Sequence, residues 1–120
     1  VGTDAGDSVR RVLVVEDNRD LRAELVAQFG RAGWTAHGAA DLCEARMLAD
    51  LGPDVIVTDR RLRDGDGASL VGAVPVIVFS GTADPVPGAV VMVKPRPIRE
   101  VIVAAELALD GEWTEAVATW

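Results

Sequence analysis

Side chains able to do chemistry follow four short apolar runs of this sequence. The runs and the residues after them are Val12 to Val15 with Glu16 and Asp17, Val55 to Thr58 with Asp59, Val76 to Phe79 with Ser80, and Ala89 to Val93 with Lys94. Short continuous β-branched runs are typical of strands buried on both faces of a parallel sheet. Because the carboxyl ends of such strands share one edge of the sheet, we expect three carboxylates, a hydroxyl and an ammonium group to meet there.

These groups together favour phosphoryl transfer. Crowded carboxylates repel each other and stay anionic only with a cation among them, and oxygen ligands in an open site suit Mg²⁺. An aspartate carboxylate can also act as a nucleophile and form an acyl phosphate. Lys94, the only lysine beside eleven arginines, and Ser80 could then bond the phosphoryl oxygens. The pattern therefore predicts Mg²⁺-dependent phosphoryl transfer onto an aspartate.

The elements that must position this chemistry alternate between strands and helices. Apolar spacing and capping signals predict helices over Asn18 to Ala32, from Asp41 to about Leu51, and from Pro97 onward. Trp34 to Gly38 is typical of one further, weaker strand. The alternation predicts an α/β fold with a single doubly wound, five-stranded parallel sheet of flavodoxin-like order 2-1-3-4-5.

Composition excludes several other classes of function. The 120 residues suit one domain, and a net charge of −7 argues against nucleic-acid binding. Cys43 and His37 are the only residues of their types, which argues against an internal disulfide, a cysteine metal cluster and a Ser-His-Asp triad. No apolar run approaches the roughly 20 residues that span a bilayer. We expect a cytoplasmic domain over residues 9–120, with residues 1–8 as a flexible lead-in and no membrane association.

Five motifs along the chain resemble those of one protein family. They are Val12 to Asn18, Pro53 to Asp59, Leu62 to Gly67, Pro75 to Gly81, and the pair Lys94-Pro95. In this order they resemble a response-regulator receiver domain, the CheY-like phosphoacceptor of two-component signalling, over almost the whole chain. Motifs of this kind carry weight because they occur together in the expected structural context.

The resemblance implies a role for each matching residue. Asp59 would accept the phosphoryl group, Ser80 would be the switch hydroxyl that bonds it, and Lys94 would pair with it across a cis bond to Pro95. The implied ligands of Mg²⁺ are Glu16, Asp17, Asp59 and the backbone carbonyl of Arg61. Simpler readings stay open: the first two acids could cap a helix, Ser80 could serve a turn, and Lys94 could be a surface lysine. Asp64 and Asp66 are expected to serve a tight turn with their neighbouring glycines.

The chain also departs from the family's pattern. The stretch between Gly67 and Pro75 has room for about two helical turns. Gly81 to Gly88 contains two prolines and two glycines, so the family's fourth helix should be missing or reduced to a turn. Val91 stands where most receivers have a switch aromatic. Arg61 and Thr82 occupy the positions that adjust phosphoryl lifetime in the family, and their roles here are open. The pattern is similar to divergent stand-alone receivers with a short segment after strand four.

The leading hypothesis is a phosphoacceptor that switches partner binding and is not an enzyme beyond its own phosphorylation and dephosphorylation. The implied partners are a sensor histidine kinase or phosphotransfer protein and an unknown downstream protein, and the chain would be a single-domain regulator or an excised receiver. One alternative is an interaction domain of receiver fold that works without phosphorylation. A small Mg²⁺-dependent phosphohydrolase is less favoured, because Arg60 and Arg61 follow Asp59 where such an enzyme usually has a second acid.

Overall fold

The computed structural model describes residues 9–111. Its helices are α1 (Arg19–Arg31), α2 (Leu42–Leu48) and α3 (Ile98–Leu109). Its strands are β1 (Arg10–Val15), β2 (Trp34–Ala39), β3 (Val55–Thr58), β4 (Arg61–Leu62), β5 (Gly65–Asp66), β6 (Val76–Ser80) and β7 (Ala89–Val93). Short 3₁₀ turns cover Ala49–Leu51 and Gly67–Leu70. The predicted lead-in over residues 1–8 lies outside the described residues.

Five strands form one parallel sheet in the order β2-β1-β3-β6-β7. This is the predicted flavodoxin-like order, and the prediction is confirmed. Val15 pairs with both Ala39 and Thr58, and Ser80 pairs with Val93. The strand ends are therefore aligned, so the residues that follow β1, β3, β6 and β7 share one edge of the sheet.

The two faces of the sheet are covered unequally. Helices α1 and α3 pack on one face, where Leu25, Phe29 and Val101 are almost completely buried. The other face is covered by α2, by Leu62 of β4 and by the loop residue Val86. The only described helix on this second face is α2, which has seven residues.

The missing helix on that face lies where the sequence predicts its loss. Gly81 to Gly88 contains no helix, because two prolines and two glycines oppose one. The segment is nevertheless anchored, since Val86 is buried against the sheet. The stretch after Gly67 forms only the 3₁₀ turn, which is shorter than the two helical turns that its length allows. Pro97, the predicted first helical position, is instead the N-cap of α3, which begins one residue later at Ile98.

Within residues 9–111, none of the helices has the length and apolar character needed to cross a membrane.

Candidate functional site

Glu16 is the most deeply buried acid of the site. It directly follows β1, is only 2 % exposed, and accepts a hydrogen bond from the Asn18 backbone N–H at 3.1 Å. Its own backbone N–H donates to the Ala39 carbonyl at 2.9 Å. Burial raises the pKa of Glu16 above its usual value, although the hydrogen bond from Lys94 opposes that shift.

Lys94 joins two of the acids. Its Nζ donates to Glu16 Oε1 at 2.9 Å and to Asp59 Oδ2 at 3.1 Å, and it lies 5.6 Å from the centre of the Phe79 ring. Burial lowers the pKa of Lys94, but the hydrogen bonds to the two carboxylates outweigh burial and raise it overall. The Lys94–Pro95 peptide bond is cis, as the resemblance implies.

The three acids lie close enough to hold one cation. One carboxylate oxygen each from Glu16, Asp17 and Asp59 lies within 4.8 Å of the other two, and this is the only such group among residues 9–111. Asp17 is exposed and the Asp59 side chain is 14 % exposed, so the cluster opens to solvent on one side. An open set of hard oxygen ligands that keeps room for water fits Mg²⁺.

Helix capping does not explain the first two acids. The N-cap of α1 is Asn18, whose Oδ1 accepts from the Leu21 N–H at 2.9 Å. Glu16 instead turns back toward Lys94, and Asp17 lies beside Asp59.

Ser80 ends β6 beside Lys94. Ser80 is buried, with 4 % of the residue exposed, and its backbone carbonyl accepts from the Lys94 N–H at 2.8 Å. The sheet register therefore brings the hydroxyl-bearing residue to the same edge as the acids and the ammonium group.

Arg61 and Thr82 border an open groove next to the acids. The groove has a volume of about 420 Å³ and is lined by Arg60, Arg61, Leu62, Gly65, Asp66, Thr82 and Asp84. The Arg61 backbone N–H approaches Asp59 Oδ1 at 3.4 Å, which is a long hydrogen bond. The Arg61 and Thr82 positions thus both line one groove.

Sequence reasoning missed the closest backbone contact of the site. Gly67 donates its N–H to the Arg60 carbonyl at 2.7 Å, and a Cβ at this position would overlap the carbonyl oxygen of Asp59. The glycine thereby allows the chain to fold back tightly on the residues after β3. The only sequence signal for it was the local turn pattern of glycines and aspartates.

The expected turn role is confirmed for Asp66 and is wrong for Asp64. Asp66 caps the following 3₁₀ turn by accepting from the Ala68 N–H at 2.8 Å, and it also pairs with Arg60 at 3.2 Å. Asp64 accepts from the backbone N–H groups of Leu42 and Cys43, far from its own turn. The reason is that the first N–H groups of a helix have no partners within the helix.

Comparisons with known sequences and with solved structures both found similar proteins. No family model matches the chain. Over 62 residues, which are 51 % of this chain and 28 % of the relative, it is 45 % identical to the transcriptional regulatory protein PhoP of Escherichia coli. Over 85 residues, 64 % of this chain and 36 % of the relative, it is 39 % identical to the transcriptional regulatory protein PrrA of Mycobacterium leprae. The matches thus span about a third or less of these relatives.

Solved structures of receiver domains share the fold. The receiver domain of the hybrid histidine kinase CckA has a TM-score of 0.73 and 26 % identity, with 82 % of this chain and 98 % of that chain covered. A chemotaxis response regulator of Vibrio cholerae has a TM-score of 0.74, with 84 % of this chain and 99 % of that chain covered. At 22 % identity, the second likeness supports the fold alone.

Proposed function

We propose that this chain, a response-regulator receiver domain, accepts a phosphoryl group on Asp59 in two-component signalling. The observation that carries the proposal is the joint arrangement of the acids and the lysine. Carboxylate oxygens of Glu16, Asp17 and Asp59 lie within 4.8 Å of one another, and Lys94 bonds two of these acids. A structural ion pair needs only one acid for one lysine, and here Lys94 already bonds two. The third acid, the exposed Asp17, can therefore bind a cation.

In the proposed reaction, an Asp59 carboxylate oxygen attacks the donor's phosphorus. The P–N bond to a kinase or phosphotransfer histidine, or the P–O bond of a small acyl phosphate, breaks as the new P–O bond forms. Lys94, now 3.1 Å from Asp59 Oδ2, lies near enough to donate to a transferred phosphoryl oxygen. The Ser80 hydroxyl would donate a second hydrogen bond to that group.

The residues suited to hold Mg²⁺ are Glu16, Asp17, Asp59 and the backbone carbonyl of Arg61. When bound, Mg²⁺ would supply positive charge between these carboxylates and the phosphoryl oxygens. The chain's own part is to hold three anions together before the donor arrives. Lys94 contributes to this, because its single positive charge is shared between Glu16 and Asp59 and reduces their repulsion.

The proposal also covers the partners. The donor would be a sensor histidine kinase or phosphotransfer protein in the cytoplasm, and the phosphorylated state would change binding to a downstream protein. Catalysis would be limited to the domain's own phosphorylation and dephosphorylation. With a net charge of −7, no direct contact with nucleic acid is expected.

Intact mass spectrometry after incubation with Mg²⁺ and acetyl phosphate tests the proposal. We expect one added phosphate that hydroxylamine removes, no addition to Asp59→Asn, and normal addition to Asp54→Asn. Asp54 is a suitable control because its carboxylate accepts from the Arg11 N–H at the opposite end of the sheet. An unchanged mass with several small donors and a candidate kinase would refute phosphoryl acceptance and favour an interaction domain that works without it.

The proposed switch includes the segment Gly81 to Gly88, which directly follows Ser80. The segment has no helix, and its exposed residues flank the single buried side chain of Val86. We expect its amide hydrogens to exchange quickly without ligand and more slowly with Mg²⁺ and beryllofluoride, a mimic of the phosphoryl group. Slow exchange that the mimic leaves unchanged would locate the switch elsewhere.

A further inference from the structure

Residues 39–43 connect β2 to α2 and are called the junction here. The junction contacts two parts of the site, called arms here, and the first arm carries Glu16. The Glu16 backbone N–H donates to the Ala39 carbonyl at 2.9 Å, one residue beyond the last pair of β1. The backbone of the buried acid is therefore fixed against the start of the junction.

The junction also contacts the second arm, the hairpin formed by β4 and β5. Asp64, at the hairpin's tip, accepts from the Leu42 N–H through Oδ1 at 2.9 Å and from the Cys43 N–H through Oδ2 at 3.0 Å. Gly65 packs so closely here that a Cβ would come within 2.8 Å of Leu42 Cδ1. Both carboxylate oxygens of a distant residue are thus used to attach the tip to α2.

A second charged side chain attaches the same tip. Arg63 donates through Nε and Nη2 to Asp41 Oδ2 at 3.0 and 2.7 Å. Asp41 is 4 % exposed, and its other oxygen accepts from the Glu44 N–H at 2.9 Å. Arg63 and Asp64, which are neighbours of opposite charge, therefore both bind the junction. Both residues are exposed, and the charge of an exposed residue needs no protein partner.

Apart from these contacts, the hairpin is held by the buried side chain of Leu62 and by the Arg60–Asp66 ion pair. Its strands have two residues each, and their pairs are Arg61 with Asp66 and Leu62 with Gly65. The hairpin begins two residues after Asp59. A shift of the hairpin would therefore displace the Arg61 backbone, which lies beside the proposed acceptor. An isolated two-stranded hairpin is at best marginally stable in water.

We propose that Arg63 and Asp64 are positioning residues: by fastening the hairpin tip to the junction, they hold the Arg61 backbone in register with Glu16 for Mg²⁺ binding. The inference rests on the proposed function for the identity of the ion. The attachment itself is independent of that function. The junction acts as one support for two arms that are separated by more than forty residues of sequence.

The test compares Asp64→Ala with Asp54→Ala in the full chain. Asp54 also ties distant segments, through the Arg11 N–H at 2.9 Å, but at the far end of the sheet. We expect Asp64→Ala to speed amide exchange at Leu62 and Gly67, while the sheet amides stay protected. We also expect a rise of about tenfold in the Mg²⁺ concentration at half-saturation, followed by NMR without any phosphodonor, as when groups that orient metal ligands are removed. Asp54→Ala should leave both values unchanged.

Arg63→Ala provides a second variant, because Arg63 is exposed and its loss should not prevent folding. It should move both readouts in the same direction by a smaller factor, and Arg63→Lys should restore part of the loss. If hairpin exchange and Mg²⁺ binding match those of Asp54→Ala in both variants, the positioning role is wrong while the proposed function stands. If the wild-type chain binds no Mg²⁺, the proposed function and this role both fail, whatever the exchange shows.

Discussion

The candidate site has an acid side and a hydroxyl side that are built differently. On the acid side, Glu16 and Asp59 share Lys94, and the hairpin after Asp59 is fastened to α2 by side-chain hydrogen bonds. On the hydroxyl side, Ser80 is followed by the segment Gly81 to Gly88, which has no helix and mostly exposed residues. The candidate site at this edge of the sheet thus has one half that is held by charged side chains and another half with few contacts.

This difference suits the two tasks of the proposed function. Binding a cation between anions needs ligands that are already in place, because moving charges together costs free energy each time. Reporting the bound state needs a part of the chain whose conformations differ little in free energy. The comparison therefore predicts that substitutions that break the packing or the ion pairs of the acid side cost stability and phosphorylation, and that those on the hydroxyl side cost little stability.

Gly67→Ala should have the largest effect, because the new methyl group would overlap the Asp59 backbone. The neighbouring atom is a backbone carbonyl that cannot rotate away. We expect a loss of about 3 kcal/mol in the free energy of unfolding, the upper end for overpacking, and little or no phosphorylation. Urea unfolding and intact mass measure the two effects. A variant of normal stability and labelling would show that the acid side is more adaptable than the comparison holds.

Lys94→Met should have the next largest effect. It keeps an apolar stem near Phe79 but leaves Glu16 and Asp59 without their shared cation. We expect a loss of about 2 kcal/mol at neutral pH in chelator, less than for a fully buried pair because the Lys94 side chain is 23 % exposed. Arg31→Met, which breaks an exposed pair with Glu24 at 3.5 Å, should cost at most a few tenths of a kcal/mol.

The loss should depend on pH in a stated direction. Burial raises the pKa of Glu16, and removing Lys94 takes away the hydrogen bond that opposes this rise. A group whose pKa is higher in the folded state favours folding when protonated, so the variant should lose stability as the pH rises through that folded pKa. The difference from the wild type should therefore shrink as the pH falls from 7 toward about 4, near the pKa of an unfolded glutamate. A difference that is constant from pH 4 to 7 would contradict this cause.

Much of this arrangement could be predicted from sequence because its signals are local. The β-branched runs before Glu16, Asp59 and Lys94 predict buried strands, and parallel order then brings their ends to one edge. The Asp41 cap was also predictable, since its partner Glu44 is three residues away. The loss of the helix between β6 and β7 follows from proline and glycine alone.

The contacts that were missed join residues distant in sequence. Asp64 has the residue type of a turn, and nothing near it shows that its partners are α2 amides 21 and 22 residues earlier. Gly67 likewise resembles any turn glycine until the Asp59 carbonyl is in place. Local patterns thus predicted which residues reach the site, while tertiary packing decided how tightly the chain around them is held.

Asp17→Ala should raise stability in chelator by about 0.5 kcal/mol, because it removes one of three repelling anions near the surface. The same change should prevent phosphorylation, so stability and labelling move in opposite directions. Asp20→Ala serves as the control: it lies in the first turn of α1, where an acid favours the helix, and should lower stability slightly. A loss of more than about 1 kcal/mol with Asp17→Ala would mean that the acid mainly caps α1.

Gly81→Ala should have the smallest effect and probes the hydroxyl side directly. No atom lies within 4 Å of a Cβ built there, and its φ is not among the positive values that favour glycine. Because alanine has fewer unfolded conformations to lose, we expect stability to rise by about 0.5 kcal/mol, with phosphorylation retained. Thermal unfolding in chelator and intact mass measure both. A loss above about 1 kcal/mol would mean that this segment is packed as closely as the chain around Gly67, and the contrast between the two sides would not hold.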